Sequence, residues 1–333
     1  MPGSNYSFMG LFSKTIKPVI RFAENLFNVP AVVLLYHRVD NLQTDLQQLA
    51  VSPKHFDEQI AFLRANYNLI TIDEFYTKLH HKSPFDPDTI ILTFDDGYAD
   101  NYTQALPILE KHAAQALFYI TTSKLNTKEI LWWDALEYIF VDLPNLPDSL
   151  ELSVNGREYT FDTKPLEKYK TYNKLHPLIK YTHFKERNRI MKGIYNWARI
   201  EMINTNKYRL LTHEELKVMA KSGSCVVGAH TLDHPVLSEL SFDEQYLQIL
   251  HSKKELENLT GKEIKHFSYP FGSKRDYNKD SIEACRRAGF EMVTSNFEWQ
   301  VHSYTSKFEI PRYLVRDWNV EMFSKQMRNF FNH

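Results

Sequence analysis

Two adjacent carboxylates, Asp95 and Asp96, stand directly after an apolar run at residues 90–94 and before Gly97. A buried strand that emerges there brings two like charges to a partly desolvated edge. Their repulsion destabilises the fold unless a cation or a proton is present. A divalent metal ion would remove that repulsion, so the sequence indicates a cation site at the end of this strand.

Two histidines, His230 and His234, stand four residues apart in GAHTLDH, at the end of a second apolar run. Imidazoles at that spacing fall on one face of a helical turn and can share a metal ion. The pair alone is weak evidence, because the chain has 14 histidines and short motifs often match by chance. Two imidazoles and one carboxylate, however, make a three-ligand site with open positions for water and substrate, which is typical of catalytic sites.

The elements that must position these residues alternate in type along the chain. Strand-like apolar runs occupy residues 31–37, 89–94, 115–122, 225–230, 264–272, 290–295 and 308–315, and helical patterns separate them. This alternation predicts an α/β fold with a parallel sheet and helical crossovers. About seven or eight such strands suit a closed or nearly closed (β/α)7–8 barrel, whose active site lies at the C-terminal ends of the strands.

The alternation is interrupted at about residues 128–210, which we interpret as a helical and hairpin insertion on the barrel. Asn155 and Gly156 are a hairpin-turn signal, and a basic helical stretch follows them. We interpret the lysines and arginines of that stretch as a solvated helix face.

Composition limits the class of protein. The 333 residues carry 40 Lys and Arg against 41 Asp and Glu, so a formal net charge of −1 gives no global attraction to nucleic acid. Two cysteines, Cys225 and Cys285, cannot form a dense disulfide framework, which favours a reducing compartment. The chain shows no secretory signal pattern and no run of about 20 apolar residues. These features predict a cytoplasmic protein.

The N-terminal segment, residues 1–30, has an amphipathic pattern of its own. Apolar residues recur at helical spacing within residues 11–27, with lysines and an arginine at other positions. This stripe either packs on the body of the protein or gives peripheral association with the inner membrane.

Three motifs, TFDDG at 93–97, HTLDH at 230–234 and YPFG at 269–272, occur in this order at predicted strand ends. Together they resemble the polysaccharide deacetylases, the NodB-like group also called carbohydrate esterase family four. The resemblance implies a distorted (β/α) barrel over residues 31–320, followed by a C-terminal helix end at 321–333.

The resemblance also implies the roles of the site residues. Asp96, His230 and His234 would bind a divalent metal, with zinc expected first and cobalt, nickel or manganese as alternatives. Asp95 would be the general base that takes a proton from the attacking water. The backbone N–H of Phe271 would stabilise the oxyanion.

Two positions depart from the family pattern. Ser268 stands where many members have an arginine, and the C-terminal histidine that protonates the leaving amine is missing from IPRYLVRDW. His37 in LLYHRV is the candidate general acid, since the chain here is similar to the branch that deacetylates poly-N-acetylglucosamine; a structural histidine is the alternative. Arg312 is expected to supply the positive charge near the base, and Arg38 is the other candidate.

Aromatic residues near these motifs are candidates for contact with a sugar. Trp132 and Trp133 present large apolar faces that could stack on a ring, and core packing is the equally weighted alternative. Tyr269 is a further candidate, against a purely structural role in a rigid aromatic turn. Asp134 is expected to cap the helix that follows.

These observations predict metal-dependent removal of an N-acetyl group from a sugar of a surface polysaccharide, a lipopolysaccharide or a lipid-linked glycan precursor. The expected partner is therefore an acetylated glycan or lipid-linked sugar, and no nucleic acid. Two alternatives stay open: a hydrolase of a non-sugar amide, and an inactive glycan-binding or assembly protein on the same scaffold.

Overall fold

The computed structural model of the chain describes residues 29–201, 203 and 205–332. The expected amphipathic segment, except for its last two positions, lies outside the described residues, and so does the membrane contact expected at residues 11–27. None of the described helices combines the length and the apolar character needed to cross a membrane.

Twelve strands and ten α-helices are formed by the described residues. The strands are β1 (Ala31–Tyr36), β2 (Arg38–Val39), β3 (Ala50–Val51), β4 (Asn68–Leu69), β5 (Thr89–Phe94), β6 (Ala116–Ile120), β7 (Ser149–Val154), β8 (Arg157–Asp162), β9 (Cys225–Ala229), β10 (His266–Ser268), β11 (Met292–Thr294) and β12 (Tyr313–Leu314). The helices are α1 (Pro53–Asn66), α2 (Ile72–His80), α3 (Leu106–Lys111), α4 (Trp132–Glu137), α5 (Lys168–Lys180), α6 (Phe184–Trp197), α7 (His213–Lys221), α8 (Phe242–Thr260), α9 (Lys279–Arg287) and α10 (Val320–Asn332).

Eight strands form one parallel sheet, in the order β11-β10-β9-β6-β5-β1-β12, with β4 paired to β5. The sheet curls through 240° as a half-barrel with helices around it, so the predicted distorted (β/α) barrel is confirmed. Because every strand pair in this sheet is parallel, the carboxyl ends of its strands share one edge. This edge carries the candidate site.

The central strands are apolar on both faces, as expected where helices cover a parallel sheet. All six residues of β1 and all six of β5 are buried. Val32 and Leu34 belong to the larger hydrophobic cluster, which includes Phe56 and Ile60 of α1. Ala31 and Val33 belong to a second cluster on the opposite face.

Local sequence signals set the ends of several helices. Thr212 and Ser241 cap α7 and α8, and each forms a reciprocal capping box with a glutamate three residues later. Gly261 ends α8 with a φ of 67°, a conformation that glycine adopts without steric cost.

The 128–210 region contributes no described strand to the parallel sheet. Its hairpin pairs β7 with β8 in antiparallel register, and the turn residues Asn155 and Gly156 both have positive φ, as a type I′ turn requires. Helices α4, α5 and α6 complete the region. That it is an insertion on the barrel stays an interpretation.

Candidate functional site

The predicted metal ligands meet at the carboxyl edge of the sheet. Asp96 follows β5, and His230 follows β9, so two strands that both flank β6 deliver them. One ligand atom from each of Asp96, His230 and His234 lies within 4.8 Å of the others, and all three residues are buried. The Nε2 atoms of the two histidines are 3.1 Å apart, and Asp96 Oδ1 is 3.5 Å from one and 3.4 Å from the other.

Backbone turns aim these side chains inward. Asp96 has a φ of 77° and His234 a φ of 50°, and Thr231 between the histidines has a φ of 66°. Non-glycine residues seldom adopt this left-handed region, and such positions cluster at functional sites. His234 N–H donates to the hydroxyl of Thr231 at 3.1 Å, which stabilises the turn.

The protonation states of the two histidines suit metal ligation, and the raised pKa of Asp96 is the effect that a bound cation would reverse. His230 Nδ1 lies 2.7 Å from the carbonyl oxygen of Ser268, which can only accept, so Nδ1 carries the proton and Nε2 keeps its lone pair. Burial lowers the pKa of His230 and holds the pKa of His234 well below its usual range, so both imidazoles are neutral. Burial and the charge of Asp95 raise the pKa of Asp96 well above its usual value. The donor set, with two lone pairs and a carboxylate converging in a buried space, fits a divalent cation.

Asp95 is held apart from this donor set by an arginine. Both carboxylate oxygens of Asp95 accept hydrogen bonds of 2.7 Å from the guanidinium of Arg312. The Ser268 hydroxyl joins them, since it accepts from Arg312 at 2.8 Å and donates to Asp95 at 3.3 Å. Burial raises the pKa of Asp95, but the charge and the hydrogen bonds of Arg312 act against it, and the net pKa lies below its ordinary value. Asp95 is therefore ionised beside the ligands.

The structure thus brings Arg312 to the position where the sequence analysis required a positive charge. Arg38, the other candidate, lies elsewhere: its Nε donates to Asp100 at 2.9 Å, and its guanidinium lies over the ring of Tyr98.

His37 directly follows β1 and is 9% exposed. Its Nδ1 is buried and has no hydrogen-bond partner among the described residues. Burial lowers the pKa of His37 to about 4, while the charge of Asp95 acts in the opposite direction. The ring is thus neutral at pH 7 and electrostatically coupled to Asp95.

Phe271 and Gly272 form a tight turn beside the ligands. Their φ angles are 60° and 68°, and a Cβ at Gly272 would lie 2.7 Å from the backbone nitrogen of Asn296. The half-buried Phe271 ring packs edge-on against His234, with centroids 4.5 Å apart. The backbone N–H of Phe271 forms no hydrogen bond with another described residue.

The aromatic candidates differ in position. Trp133 packs on His234 with ring centroids 4.7 Å apart, and its indole N–H donates to Tyr98, whose hydroxyl donates to Asp134. Trp132 stacks on His176 at 5.0 Å. Both indoles are buried, so the structure favours the packing alternative for them.

Two further expectations are corrected by the structure. Tyr269 is fully buried, stacks on Tyr277 at 4.2 Å and donates to the carbonyl oxygen of Phe308, so its side chain presents no face to a sugar. Asp134 does not cap its helix, because the N-cap residue of α4 is Leu131 and Asp134 lies inside the first turn. Burial raises the pKa of Asp134 to about 7.

Two further residues of the 128–210 region contact the site and were not predicted from the sequence. Arg187 of α6 donates to the carbonyl oxygens of His234 and Asp233 at 3.1 and 2.6 Å. Lys180 lies 4.3 Å from the centre of the Phe271 ring and 3.1 Å from the buried carboxylate of Asp276. The expected solvated face is wrong for Arg187, which is 2% exposed. The signal was present, since Arg187 shares helical spacing with Ile190 and Ile194 on the buried face of α6.

Comparison with known proteins decides the family. Residues 82–147 and 158–293 match the polysaccharide deacetylase family profile. The chain belongs to the polysaccharide deacetylase family. The putative polysaccharide deacetylase YxkH of Bacillus subtilis is 21% identical over 261 residues, which are 78% of this chain and 62% of that protein.

A second relative is the poly-beta-1,6-N-acetyl-D-glucosamine N-deacetylase of Escherichia coli K12. It is 29% identical over 109 residues, which are 32% of this chain and 16% of that enzyme. The matched regions of both curated relatives therefore fall short of two thirds of their lengths.

Solved structures agree with the fold. The Streptococcus pyogenes deacetylase PplD, in complex with acetate, superposes with a TM-score of 0.60 at 17% identity, over 90% of this chain and 98% of that chain. IcaB from Ammonifex degensii gives 0.58 at 19% identity, over 91% and 97%. At these identities the likeness establishes the fold of this polysaccharide deacetylase family member.

Proposed function

We propose that this protein is a metal-dependent N-deacetylase that removes an acetyl group from an N-acetylated sugar of a surface polysaccharide, a lipopolysaccharide or a lipid-linked precursor. One observation carries the proposal: in a chain of the polysaccharide deacetylase family, Asp96, His230 and His234 converge within 4.8 Å beside an ionised Asp95. The E. coli relative, which acts on a polymer of N-acetylglucosamine, supports this class of substrate.

Asp96, His230 and His234 would hold the cation, for which we propose zinc. When bound there, a divalent cation supplies Lewis acidity, which polarises an acyl carbonyl and acidifies water. Asp95 takes the proton of the attacking water, because Arg312 keeps the Asp95 carboxylate ionised and fixes its orientation. The unpaired N–H of Phe271 donates to the oxygen that becomes negative as water adds.

His37 is the proposed acid for the leaving amine, since it directly follows β1 at the same edge and the charge of Asp95 acts on it. With a pKa of about 4, His37 must first gain the proton that the reaction releases. The charge of Asp95 favours that protonated form. A proton taken up by Asp95 and passed on to His37 would leave the site unchanged after one turnover.

The cell location stays a proposal that the sequence alone supports: a cytoplasmic protein, with peripheral contact to the inner membrane through residues 11–27. A lipid-linked precursor at that membrane face would then be the substrate.

The test is acetate release from β-1,6-linked N-acetylglucosamine oligomers and from lipid-linked N-acetylhexosamines, with protein stripped of metal and reloaded with zinc, cobalt, nickel or manganese. Asp95→Asn should lower turnover by about 10²- to 10⁴-fold, the usual contribution of a general base, and should leave the bound metal unchanged. His234→Ala should lose the metal as well.

Asp86→Asn, which changes an exposed carboxylate paired with Lys78, is the matched control and should behave as the wild type. The proposal fails if metal-loaded protein releases no acetate from any of these substrates. It also fails if Asp95→Asn keeps full turnover.

A further inference from the structure

A cavity of about 750 Å³ lies beside the loop that carries the two histidines, and we refer to it as the side cavity. Its lining includes Thr121 and Asp233 on the barrel side and Trp132, Arg187 and Met191 on the side of the 128–210 region. We infer that the side cavity binds a saccharide unit that carries a carboxylate or a phosphate. The inference rests on the proposed function, in which this unit is a neighbour of the acetylated sugar.

The position of the cavity suits a substrate subsite. Thr121 directly follows β6, and Asp233 directly precedes the ligand His234, so the cavity opens at the edge where parallel sheets bind their ligands. The Thr121 hydroxyl donates to the carbonyl oxygen of His230 at 3.3 Å. An occupant of the cavity would therefore lie directly behind the histidine loop.

The charge of Arg187 is the first reason to expect an anion. Arg187 is 2% exposed, and none of the described carboxylates lies within 4 Å of its guanidinium. Two of its nitrogens donate to backbone carbonyls, while Nε is buried without a partner. The charge of Asp233 acts on Arg187 without forming an ion pair, so an anionic ligand in the adjoining cavity would supply the direct counter-ion that a buried cation needs.

Trp132 supplies a second unpartnered donor. The indole Nε1 of Trp132 is buried and has no hydrogen-bond partner among the described residues. An indole N–H and an arginine Nε–H can only donate, so their complement is a ligand rich in acceptor oxygens. Apolar lining from Ile130, Leu131 and Met191 would pack against the C–H face of a sugar ring.

Exposed lysines at the cavity strengthen the case for negative charge. Lys128 and Lys192 line the cavity and form no ion pair with a described residue, whereas Lys124 is paired with Glu129. The carboxylate of Asp233 accepts from Gln248 at 2.7 Å. Gln248 is neutral, so Asp233 and Glu201 both keep their charge. The three cations Arg187, Lys128 and Lys192 outnumber these two carboxylates, and the lining groups without an ion pair carry a net positive charge.

The test measures binding of D-glucuronate, glucose 6-phosphate and glucose to the full-length protein by titration calorimetry at low salt. We expect at least one anionic sugar to bind at least tenfold more tightly than glucose. Its affinity should fall as added salt screens the charges of the lysines. D-glucuronate tests whether the cavity recognises a carboxylate, and glucose 6-phosphate tests whether it recognises a phosphate. Equal binding of glucose, or no binding of any of the three, would overturn the inference.

Variants locate the site. The double variant Lys128→Ala, Lys192→Ala should lower the affinity for the anionic sugar about tenfold. Trp132→Phe, which keeps an aromatic ring but removes the N–H, should lower the affinity further. The matched control is Lys185→Ala, Lys217→Ala, at an exposed and a half-buried lysine outside the cavity. If the control variant weakens binding as much as the cavity variant, the anion binds elsewhere and the inference is wrong.

Binding is measured without turnover, so this result stands apart from acetate release. An Asp95→Asn protein that binds the anionic sugar would support the side cavity even if no acetate is released by the wild type. Conversely, active protein that binds no anionic sugar would refute the cavity and keep the proposed function.

Discussion

Asp95 and Arg312 are 217 residues apart in sequence, yet they form a two-point ion pair in the buried floor of the site. The sequence predicted both residues, because Asp95 directly follows the apolar run at 90–94 and Arg312 belongs to the apolar run at 308–315. It could not predict the bridge through Ser268, which looked like a lost arginine. The compensation depends on side-chain direction across three strands, and no local pattern encodes that.

We expect Arg312→Met to destabilise the protein by about 3–5 kcal/mol, since removing one partner leaves a buried charge unpaired. The pKa of Asp95 should rise once Arg312 is absent, so the acidic limb of the activity profile should move to higher pH. Chemical denaturation and the pH dependence of kcat/KM measure these two effects.

Arg316→Met, a half-buried arginine that donates to backbone carbonyls, is the control for loss of a large cation. An Arg312→Met protein with wild-type stability and an unshifted profile would show that the ion pair does not hold the base.

The turn at Phe271 shows what an element can and cannot reveal from sequence. The YPFG motif predicted a tight turn, and Phe271 and Gly272 have the positive φ angles that it requires. The contacts of α5 near that turn, which we call the clamp, were not predictable. The Tyr181 hydroxyl donates to Asp276, which is 95 residues away in sequence, and Lys180 at the same end of α5 forms an ion pair with Asp276. Such contacts depend on how α5 packs, which periodicity does not determine.

We expect Lys180→Met to loosen this turn, because it removes the cation from both the Phe271 ring and the Asp276 carboxylate. A small displacement of the Phe271 N–H should lower kcat by about ten- to hundredfold, with metal affinity unchanged. Steady-state kinetics measure kcat, and a metal competition assay measures the metal affinity.

Lys180→Arg, which keeps the charge, should recover most of the loss, and Lys185→Met at an exposed site should have no effect. If Lys180→Met changes metal affinity but not kcat, the clamp acts on the ligands rather than on the turn.

At the scale of the whole molecule, the alternation of strands and helices predicted the curled parallel sheet, which the structure confirms. Strand lengths were less predictable: the apolar run at 308–315 yields only the two-residue strand β12. Just before this strand, the backbone N–H of Arg312 donates to the carbonyl oxygen of Phe297, and Arg312 Nε donates to the carbonyl oxygen of Ser295. A longer regular strand would replace these contacts with ladder hydrogen bonds. Long-range pairing, rather than local propensity, sets these boundaries.

Stability should fall in mild acid because of buried neutral histidines. Burial lowers the pKa of His266, His37 and His176 to about 4 in the folded protein, whereas an unfolded histidine titrates near about 6.5. The unfolded chain therefore binds protons first as pH falls from about 6.5 towards 4, and stability is lost over that window. Asp134, with its pKa raised to about 7, opposes the loss together with Asp96 and Asp100, whose pKa values burial also raises. The lowered pKa values of His230 and His234 add to the loss.

His266 lies on β10 and is not one of the metal ligands. We expect His266→Gln to reduce the slope of unfolding free energy against pH by at most about 1.4 kcal/mol per pH unit. Urea unfolding at pH 7, 6 and 5 gives the measurement. The exposed His251→Gln is the control. A His266→Gln protein with an unchanged slope would show that His266 does not remain neutral in the folded state.

The pairing of β1 with β12, through Leu34 beside Tyr313 and Leu35 beside Leu314, has a consequence for biosynthesis. The first described strand gains its neighbour on this side only when residues 313 and 314 have left the ribosome. Until then the nascent chain carries an open apolar sheet edge, which invites pairing with other chains. Arg312 directly precedes these two residues, so Asp95 meets its counter-ion only after this late part of the described sheet has been synthesised.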